Sequence, residues 1–403
     1  MTVSVRKPER IVPEYSLTGD VLSFLRCGLQ YRLYNRGALP PSKPVQQWFG
    51  EFIHGVMEEA YLRWKNQSKK KSFPWSWIEV IQPIESDVHG RLLARGLKPS
   101  PQLFLRYRGS KSDFSKLRRL ASYRAEAAIN TWAPHLFPLV QAAEVRLKGS
   151  RPISNCARTH RYTVSGVVDV LSSVELRNAD SENLIVAELL CNPRLKKELE
   201  TGAAFDIIVD YKGMRRPTLT SDSWNEHAWQ LQTYAWLRQE QAPDRRVIAG
   251  ALLYLNELTP ARADVSQLID ESQRGETDWP AIDNDINDLQ RHLRTISTVM
   301  RKHNPDENLL AEYEMSQIHV ADSLRIRRSL RLVEIDDGSI LSGLNRFDAT
   351  VSKIEDCIYK ESASGTILRH WPERFDPRTC VACDFKYQCP TAKSKLGEKP
   401  TVP

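Results

Sequence analysis

Two aspartates and one lysine near the middle of the chain are residue types that metal-dependent phosphate chemistry uses. Asp169 ends a short run that begins at Gly166, and one residue separates Asp210 from Lys212. In a strand, that spacing places the acid and the lysine on one face, with the Tyr211 carbonyl close by. Hard divalent ions prefer oxygen ligands, so Asp169, Asp210 and the Tyr211 carbonyl are candidate ligands for Mg2+ or Mn2+. Lys212 would orient a metal-activated water or stabilise phosphate charge, although an aspartate and a lysine so spaced also occur as an ordinary surface ion pair.

Four cysteines form a second candidate site, which would join the two ends of the chain. Cys27 lies near the N-terminus, and Cys380, Cys383 and Cys389 lie close to the C-terminus. Thiolates are soft ligands that select zinc or an iron–sulfur centre, and a C-x2-C pair lets two sulfurs reach one ion or cluster. The four thiols fit either metal, and the alternative is that they are ordinary buried cysteines. The remaining cysteines have no paired spacing and are interpreted as packing residues: Cys156, Cys191 and Cys357.

Amphipathic patterns predict the helices that would position these residues. A helix over 46–64 contains His54, which by itself would be interpreted as a core histidine. Another helix over 221–239 carries Gln230 and Tyr234, which would otherwise simply pack with neighbouring tryptophans. Further helices are predicted over 21–27, 113–133, 279–303 and 343–361. Residues 69 to about 110 are polar, basic and proline-bearing, which indicates a loop-rich surface insertion.

Strand-forming residues dominate four runs between these helices. The predicted strands cover residues 139–147, 162–176, 205–211 and 246–255. Their alternation with helices indicates an α/β fold with a mixed sheet. Asp169 and Asp210 would then lie at or near strand ends.

Composition narrows the class of protein without naming a partner. The chain has 403 residues and a formal net charge of +7, which is compatible with nucleic acid but does not require it. It contains no apolar run long enough to span a membrane, no apolar signal-peptide core and no G-x4-G-K-[ST] sequence. We therefore expect a cytoplasmic protein with no membrane partner and no P-loop motor of its own. The cysteines are too sparse for a disulfide scaffold, which agrees with that location.

The order of these segments resembles the RecB-like branch of the PD-(D/E)XK nucleases. It is similar specifically to the members that carry an iron–sulfur cluster, which are the CRISPR-adaptation exonucleases and the nuclease domain of AddB. The resemblance covers residues 16 to 391, with insertions. It implies that His54 and Asp169 are metal ligands, that Asp210 is the ligand carboxylate and that Lys212 is the catalytic lysine.

The resemblance also implies roles for several supporting residues. Gln230 and Tyr234 match a Q-x3-Y helix that faces the site and holds substrate or the lysine, and Glu144 matches an acidic position on the preceding strand. The four cluster ligands would be Cys27, Cys380, Cys383 and Cys389, which implies [4Fe-4S] rather than zinc. The chain departs from many relatives in having Asp210 where they have glutamate, and in the insertion around 178–204 that separates Asp210 from Asp169.

The fold implied by this resemblance is a restriction-endonuclease-like α/β core, with a mixed central sheet flanked by helices. The whole chain, 1–403, would form one nuclease domain with helical insertions and a C-terminus stapled by the iron–sulfur cluster. Its predicted parts are N-terminal helices with the first cluster cysteine (16–64), a basic helical insertion (65–135), the nuclease core (139–256) and a helical C-terminal part with three cluster cysteines (279–391).

The leading hypothesis of function is a metal-dependent DNA nuclease, acting as an exonuclease in DNA repair, antiviral defence or CRISPR adaptation. Its partners would be single-stranded DNA or DNA ends, with a separate helicase or ATPase or a CRISPR-adaptation protein. The alternative from another class is a nuclease-like subunit that binds DNA ends or a partner without cleaving. A third hypothesis is a zinc-stapled structural protein in which the Asp210–Lys212 pair is incidental.

Overall fold

A computed structural model describes eight stretches of the chain: residues 12–35, 45–67, 72–97, 112–153, 156–174, 182–201, 204–303 and 320–396. The strands are β1 (Glu14–Ser16), β2 (Val140–Pro152), β3 (Arg161–Val174), β4 (Phe205–Lys212), β5 (Val247–Tyr254) and β6 (Leu330–Glu334). The helices before β4 are α1 (Leu22–Arg26), α2 (Gly28–Asn35), α3 (Val45–Asn66), α4 (Gln82–Ala94), α5 (Ser112–Leu136), α6 (Leu184–Cys191) and α7 (Pro193–Glu200). Those after β4 are α8 (Asp222–Gln241), α9 (Arg262–Arg274), α10 (Asp283–His303), α11 (Asp322–Ser329), α12 (Asp337–Ser364), α13 (Pro377–Ala382) and α14 (Pro390–Leu396).

The six strands form one mixed sheet in which β3 has three neighbours. The strand order is β1-β3-β4-β5-β6, and β2 pairs with β3 outside this path. The β1/β3 and β4/β5 pairs are parallel, and the β2/β3, β3/β4 and β5/β6 pairs are antiparallel. The predicted mixed α/β sheet flanked by helices is therefore confirmed.

The pairing of β3 leaves a gap at one of its edges. β2 pairs with β3 along nearly its whole length, so β1 and β4 must share the other edge. β1 occupies residues 163–165 of that edge and β4 occupies residues 170–174, which leaves residues 166–169 without a strand partner between them. Asp169 lies in this gap, next to the end of β4.

The sheet separates two apolar layers, and β4 is buried between them. Its residues alternate: Ile207 and Val209 pack with α3, α4, α5, α6 and α7, whereas Ile208 packs with α8 and α12. Every residue of β4 except Lys212 is buried, which is why this strand reads as a nearly continuous apolar run. A third apolar cluster joins α9, α10 and the start of α11.

Two sequence predictions were wrong, and several elements were not predicted. Asp169 was expected at or near a strand end, but it lies inside β3, five residues before that strand ends. Residues 69 to about 110 were expected to be loop-rich, but 77–94 are helical because Ile81, Ile84 and Val88 face the core beside α3. Residues 69–71 and 98–110 of that prediction lie outside the described residues. The short strands β1 and β6 were not predicted, since three to five residues carry too little periodicity to be recognised. Within the described parts, no helix combines the length and the apolar character required to cross a bilayer.

A buried group of arginines ties the helical part after β5 to the sheet. Arg216 and Arg331 donate to Asp278 Oδ1 at 2.8 and 2.7 Å. Arg328 donates to Glu257 Oε2 at 2.7 Å, and the backbone N–H of Arg216 donates to Glu257 Oε1. Burial would raise the pKa of Asp278, but its hydrogen bonds and ion pairs with Arg216 and Arg331 outweigh burial and lower the pKa to about 2.

Replacing Asp278 with asparagine is expected to destabilise the protein by about 3 kcal/mol, because two buried guanidinium groups lose their counter-charge. The lowered pKa of Asp278 also makes its contribution depend on pH. The contribution is fully present above the ordinary aspartate pKa and is lost as the pH falls from about 4 towards 2. Chemical denaturation of both proteins from pH 7 to pH 3 measures this, and the difference should shrink at the acid end. An equal difference at every pH would contradict the assignment to Asp278.

Candidate active site

Asp169 and the end of β4 meet in the gap beside β3. The Asp169 Oδ2 atom accepts a hydrogen bond of 2.8 Å from the Tyr211 backbone N–H. This bond orients the carboxylate, and it directs the other carboxylate oxygen towards His54. Tyr211 itself is buried on the α3 side of the sheet.

Asp210 and Lys212 lie on the α8 face of β4, as the period of two predicts. The Lys212 Nζ atom forms an ion pair with Asp210 Oδ2 and donates to Gln230 Oε1 at 2.6 Å. Gln230 Nε2 in turn donates to Asp210 Oδ1 at 3.2 Å and to the Tyr234 hydroxyl at 3.0 Å. One amide therefore holds the acid, the lysine and the tyrosine in a fixed arrangement.

Gly166 permits the close approach of α8 to the sheet at this point. A side-chain carbon on Gly166 would come within 2.5 Å of the Tyr234 ring. Any larger residue would push α8 away from β3, and with it the Gln230 amide that contacts Lys212. The segment from Gly166 to Asp169 thus supplies both a packing surface for α8 and a carboxylate.

His54 reaches the same point from α3, on the opposite side of the sheet. Its Nε2 atom lies 3.1 Å from the Tyr211 carbonyl oxygen, and its Nδ1 atom lies 3.4 Å from Asp169 Oδ1. Burial would lower the pKa of His54, but the neighbouring Asp169 carboxylate outweighs burial and raises the pKa to about 9. The interpretation of His54 as an isolated core histidine does not account for these contacts, because both ring nitrogens face oxygen atoms of the site.

Glu144 completes a compact group of potential metal ligands. His54, Glu144 and Asp169 each offer a ligand atom, and these atoms lie within 4.8 Å of one another. Glu144 lies between Ala143 and Val145, which pair with Val170 and Val168, so it faces Asp169 across β2 and β3. Its φ of 51° is the only positive value at a non-glycine residue in the described chain. Such a backbone is uncommon for a glutamate and redirects the side chain towards the site.

Among side-chain ligands, this compact group has Glu144 where the predicted set has Asp210. The predicted metal ligands were His54, Asp169, Asp210 and the Tyr211 carbonyl, whereas the compact group contains Glu144 and not Asp210. Partial desolvation, with repulsion from Asp169, raises the pKa of Glu144 to about 7. Burial and the Asp169 charge also raise the pKa of Asp210, against the opposing effect of Lys212. Crowded carboxylates of this kind favour a cation, which would relieve their repulsion.

The site opens into a cleft of about 590 Å³ lined by residues from β1, β2, β3, β4 and α8. Arg146 projects from β2 into this cleft, and it has no carboxylate within 4.0 Å among the described residues. His227 lies one helical turn before Gln230, and its Nδ1 atom is 3.0 Å from the buried Tyr254 hydroxyl. Burial, with the nearby charges of Lys212 and Arg331, lowers the pKa of His227 to about 3, so its imidazole is neutral.

Arg146 and His227 were not predicted to lie at or near the site, although each had a local signal. Arg146 follows Glu144 by two residues in a strand, which places both on one face when the strand is regular. His227 precedes Gln230 by three residues on a helix, which also places the two on one face. Neither spacing alone distinguishes a site residue from an ordinary surface residue.

The four predicted cluster cysteines lie together at the far end of α1. Cys27 connects α1 to α2, Cys380 lies in α13, Cys383 follows α13, and Cys389 precedes α14. All four line one small apolar cavity of about 40 Å³. The Tyr34 hydroxyl, from α2, is 4.0 Å from Cys383 Sγ.

Buried contacts independent of the cysteines bring the two ends of the chain together there. Arg32 in α2 donates two hydrogen bonds of 2.7 Å to the Glu361 carboxylate in α12, and both side chains are buried. Gly28 lies against Pro372, where a side-chain carbon would come within 2.7 Å of the proline ring. The three cysteines near the C-terminus therefore approach Cys27 through the packing of α1, α2 and α12.

No protein-family model and no curated protein sequence matches this chain.

Proposed function

We propose that this protein is a metal-dependent DNA nuclease that hydrolyses phosphodiester bonds. The observation that carries the proposal is the convergence of His54, Asp169, Asp210 and Lys212 in one cleft, from three segments far apart in the chain. An isolated surface ion pair would need neither the buried Gln230 that holds it nor a histidine delivered from the opposite layer of the fold. The proposal includes action at DNA ends as an exonuclease, in the cytoplasm, with any motor supplied by a separate helicase or CRISPR-adaptation partner.

Two groups of residues at this site would have different roles, one in binding a metal ion and the other in stabilising phosphate charge. His54, Glu144, Asp169 and the Tyr211 carbonyl are the residues that would hold Mg2+ or Mn2+, because their oxygen and imidazole donors suit such ions. A bound ion would lower the pKa of its water and neutralise phosphate charge. Asp210 and Gln230 hold the Lys212 ammonium in the same cleft, where it stabilises charge that develops on the phosphate.

We also propose that the four cysteines hold a [4Fe-4S] cluster with a structural role. All four line one apolar cavity, although no three of their sulfur atoms lie within 4.8 Å of one another. A tetrahedral zinc ion with Zn–S bonds of about 2.3 Å would bring its sulfur ligands to about 3.8 Å. Wider spacing suits a cluster, since each thiolate then binds a different iron atom.

The proposed nuclease is tested with end-labelled single- and double-stranded DNA and anaerobically purified protein. Degradation is expected with Mn2+ or Mg2+ and not with EDTA, and progressive shortening from a labelled end would support exonucleolytic action. A folded, iron-loaded protein that degrades neither DNA with either ion would overturn the proposal. The hypothesis of a DNA-end or partner-binding subunit would then replace it.

Replacing Glu144 with glutamine is expected to raise the Mn2+ concentration for half-maximal activity about tenfold, because one charged ligand is lost from the compact group. Isothermal titration with Mn2+ alone should give the same change without depending on activity. Glu14→Gln is the matched control, since Glu14 lines the cleft that His54 and Asp169 also line but pairs with Lys148. An equal change in both variants would show that general cleft charge, rather than ligation, controls metal binding.

Replacing Arg146 with alanine is expected to lower kcat/KM for DNA about tenfold, mainly through KM. The guanidinium lines the cleft and would contact a substrate phosphate through a charge-assisted hydrogen bond. Steady-state kinetics on a labelled oligonucleotide separate the two parameters, with Lys148→Ala on the same strand as control. A fall in kcat alone would instead assign Arg146 to the chemical step.

A further inference from the structure

A second groove, larger than the catalytic cleft, lies on the other side of α8. Its volume is about 780 Å³, and it is bounded by the first half of α8, the first half of α12, the end of α1 and the segment before α13. Gln230 and Tyr234 face the catalytic cleft, whereas Trp229 and Gln232 line this groove. One helix therefore forms a wall of both spaces.

The groove contains a rigid aromatic platform covered by an arginine. The Trp229 indole N–H donates to the Gly343 carbonyl at 2.8 Å, which fixes the ring against α12. The Arg346 guanidinium lies over this ring, 4.0 Å from its centroid. Gly343 makes the approach of α12 possible, because a side-chain carbon there would come within 3.1 Å of the indole. A guanidinium stacked on an indole leaves its outer face available for a second planar group.

Three arginines from three different elements line the groove. Arg26 ends α1, Arg346 lies in α12, and Arg374 lies between α12 and α13. All three are exposed, and none has a carboxylate within 4.0 Å in the described parts of the chain. Most buried or half-buried arginines in the described parts of the chain, by contrast, do have such partners, as Arg32, Arg216 and Arg328 illustrate. Side chains that can hydrogen-bond complete the wall: Ser223, Asn225, Gln232, Ser342 and Thr379.

We propose that this groove binds a segment of single-stranded nucleic acid outside the catalytic cleft. Unpaired guanidinium groups bind phosphates, and the outer face of Arg346 provides a surface on which a base can stack. This inference rests on the proposed nuclease function for the choice of nucleic acid as the ligand. The site is distinct from the cleft, because no residue lines both spaces.

The groove also contains carboxylates, which should oppose the binding of a nucleic acid. Asp222, Glu226 and Asp376 line it, so the arginines do not give it a net positive charge. One carboxylate oxygen of Asp376 already accepts a hydrogen bond of 2.6 Å from the Thr379 backbone N–H. Binding in such a groove depends on directed contacts and stacking, and removal of the acids should strengthen it.

The test measures binding of a fluorescently labelled oligo-dT to cleavage-deficient Lys212→Ala protein, without divalent metal. In that background, Arg26→Gln/Arg346→Gln is expected to weaken binding about tenfold. The slope of the logarithm of the binding constant against the logarithm of the salt concentration should become less steep by about 1.4, which corresponds to two lost phosphate contacts on a single strand. Asp222→Asn/Glu226→Gln is expected to tighten binding about threefold.

A matched control removes two arginines elsewhere. Arg246→Gln/Arg291→Gln lowers the net charge equally, but both side chains are exposed and lie in surface ion pairs, so folding should be unaffected. Equal weakening in the groove and control variants would overturn the proposal, because net charge would then explain it. Unchanged DNA binding in the groove variant would also overturn it. If that variant instead lost binding to a polyglutamate peptide, the groove would be a site for an acidic protein segment and the proposal would be overturned as well. Wild-type protein that cleaves no DNA but binds oligo-dT through Arg26 and Arg346 would refute the nuclease proposal and leave the groove proposal intact.

Discussion

Replacing Lys212 with alanine is expected to reduce DNA cleavage by about three orders of magnitude while the protein stays folded. The ammonium is held by Asp210 and by Gln230 Oε1 at 2.6 Å, in the cleft that His54 also lines. An ammonium group held in this way does not have to move when negative charge develops on the phosphate. Loss of one such group in an enclosed site typically lowers kcat by about 100-fold to 1,000-fold. Single-turnover cleavage of an end-labelled oligonucleotide with Mn2+ measures the effect.

The control for Lys212 is a lysine with no access to the cleft. Lys196→Ala removes an exposed lysine of α7 that pairs with Glu200 at 3.9 Å, and it should leave cleavage unchanged. Thermal unfolding and iron content of both variants establish that they are folded. Cleavage by Lys212→Ala within a few-fold of wild type would contradict the assignment of Lys212 to catalysis, even if the protein proved to be a nuclease.

Replacing Cys380 with serine is expected to remove most of the iron and to destabilise the protein by about 6 kcal/mol. Cys380 is buried beside the cavity that all four cysteines line. A cluster there links Cys27 to residues roughly 350 positions later, and the chain-entropy model gives about that value for closing so long a loop. The Arg32–Glu361 pair also holds these ends together, so the folded form should remain populated at low temperature. Iron analysis, the visible absorption spectrum and denaturant unfolding measure the two effects.

Cys191 provides the matched cysteine control. It is exposed at the end of α6 and lies outside the four-cysteine set, so Cys191→Ser should keep both iron and stability. Zinc in place of iron in the wild-type protein would overturn the cluster proposal and retain a metal staple. Unchanged stability of metal-free Cys380→Ser would show that packing alone joins the two ends.

Much of the core could be predicted from local patterns. The strand that carries Asp210 and Lys212 is apolar on both faces before the lysine, and the helix with Gln230 and Tyr234 has a clear apolar face. Both were placed within two residues of their observed bounds, because periodicity reflects which face is buried. Gln230 contacts Lys212, and the catalytic role that the family resemblance implied for these residues stays a prediction.

Other features had no reliable local signal. Helix α4 was interpreted as part of a loop-rich region, since its polar and basic residues obscured the few positions that pack against α3. The backbone of Glu144 has a positive φ that no residue pattern indicates. The arginines of the second groove lie far apart in the sequence, and nothing local relates Arg26 to Arg346 or Arg374.

Local spacing in the sequence was enough to predict the four longer strands, the helices over 46–64 and 221–239, and the residue types that could bind metal or stabilise phosphate charge. Those properties follow from spacing within a few residues, and the chain encodes them locally. Strand pairing across the whole sheet places β1 and β4 on one edge of β3, and it leaves a gap at Asp169. Packing between distant segments brings His54 in from the opposite layer and sets Glu144 opposite Asp169 on the neighbouring strand. Such pairings join residues tens to hundreds of positions apart, and the packing of both layers against the sheet selects them.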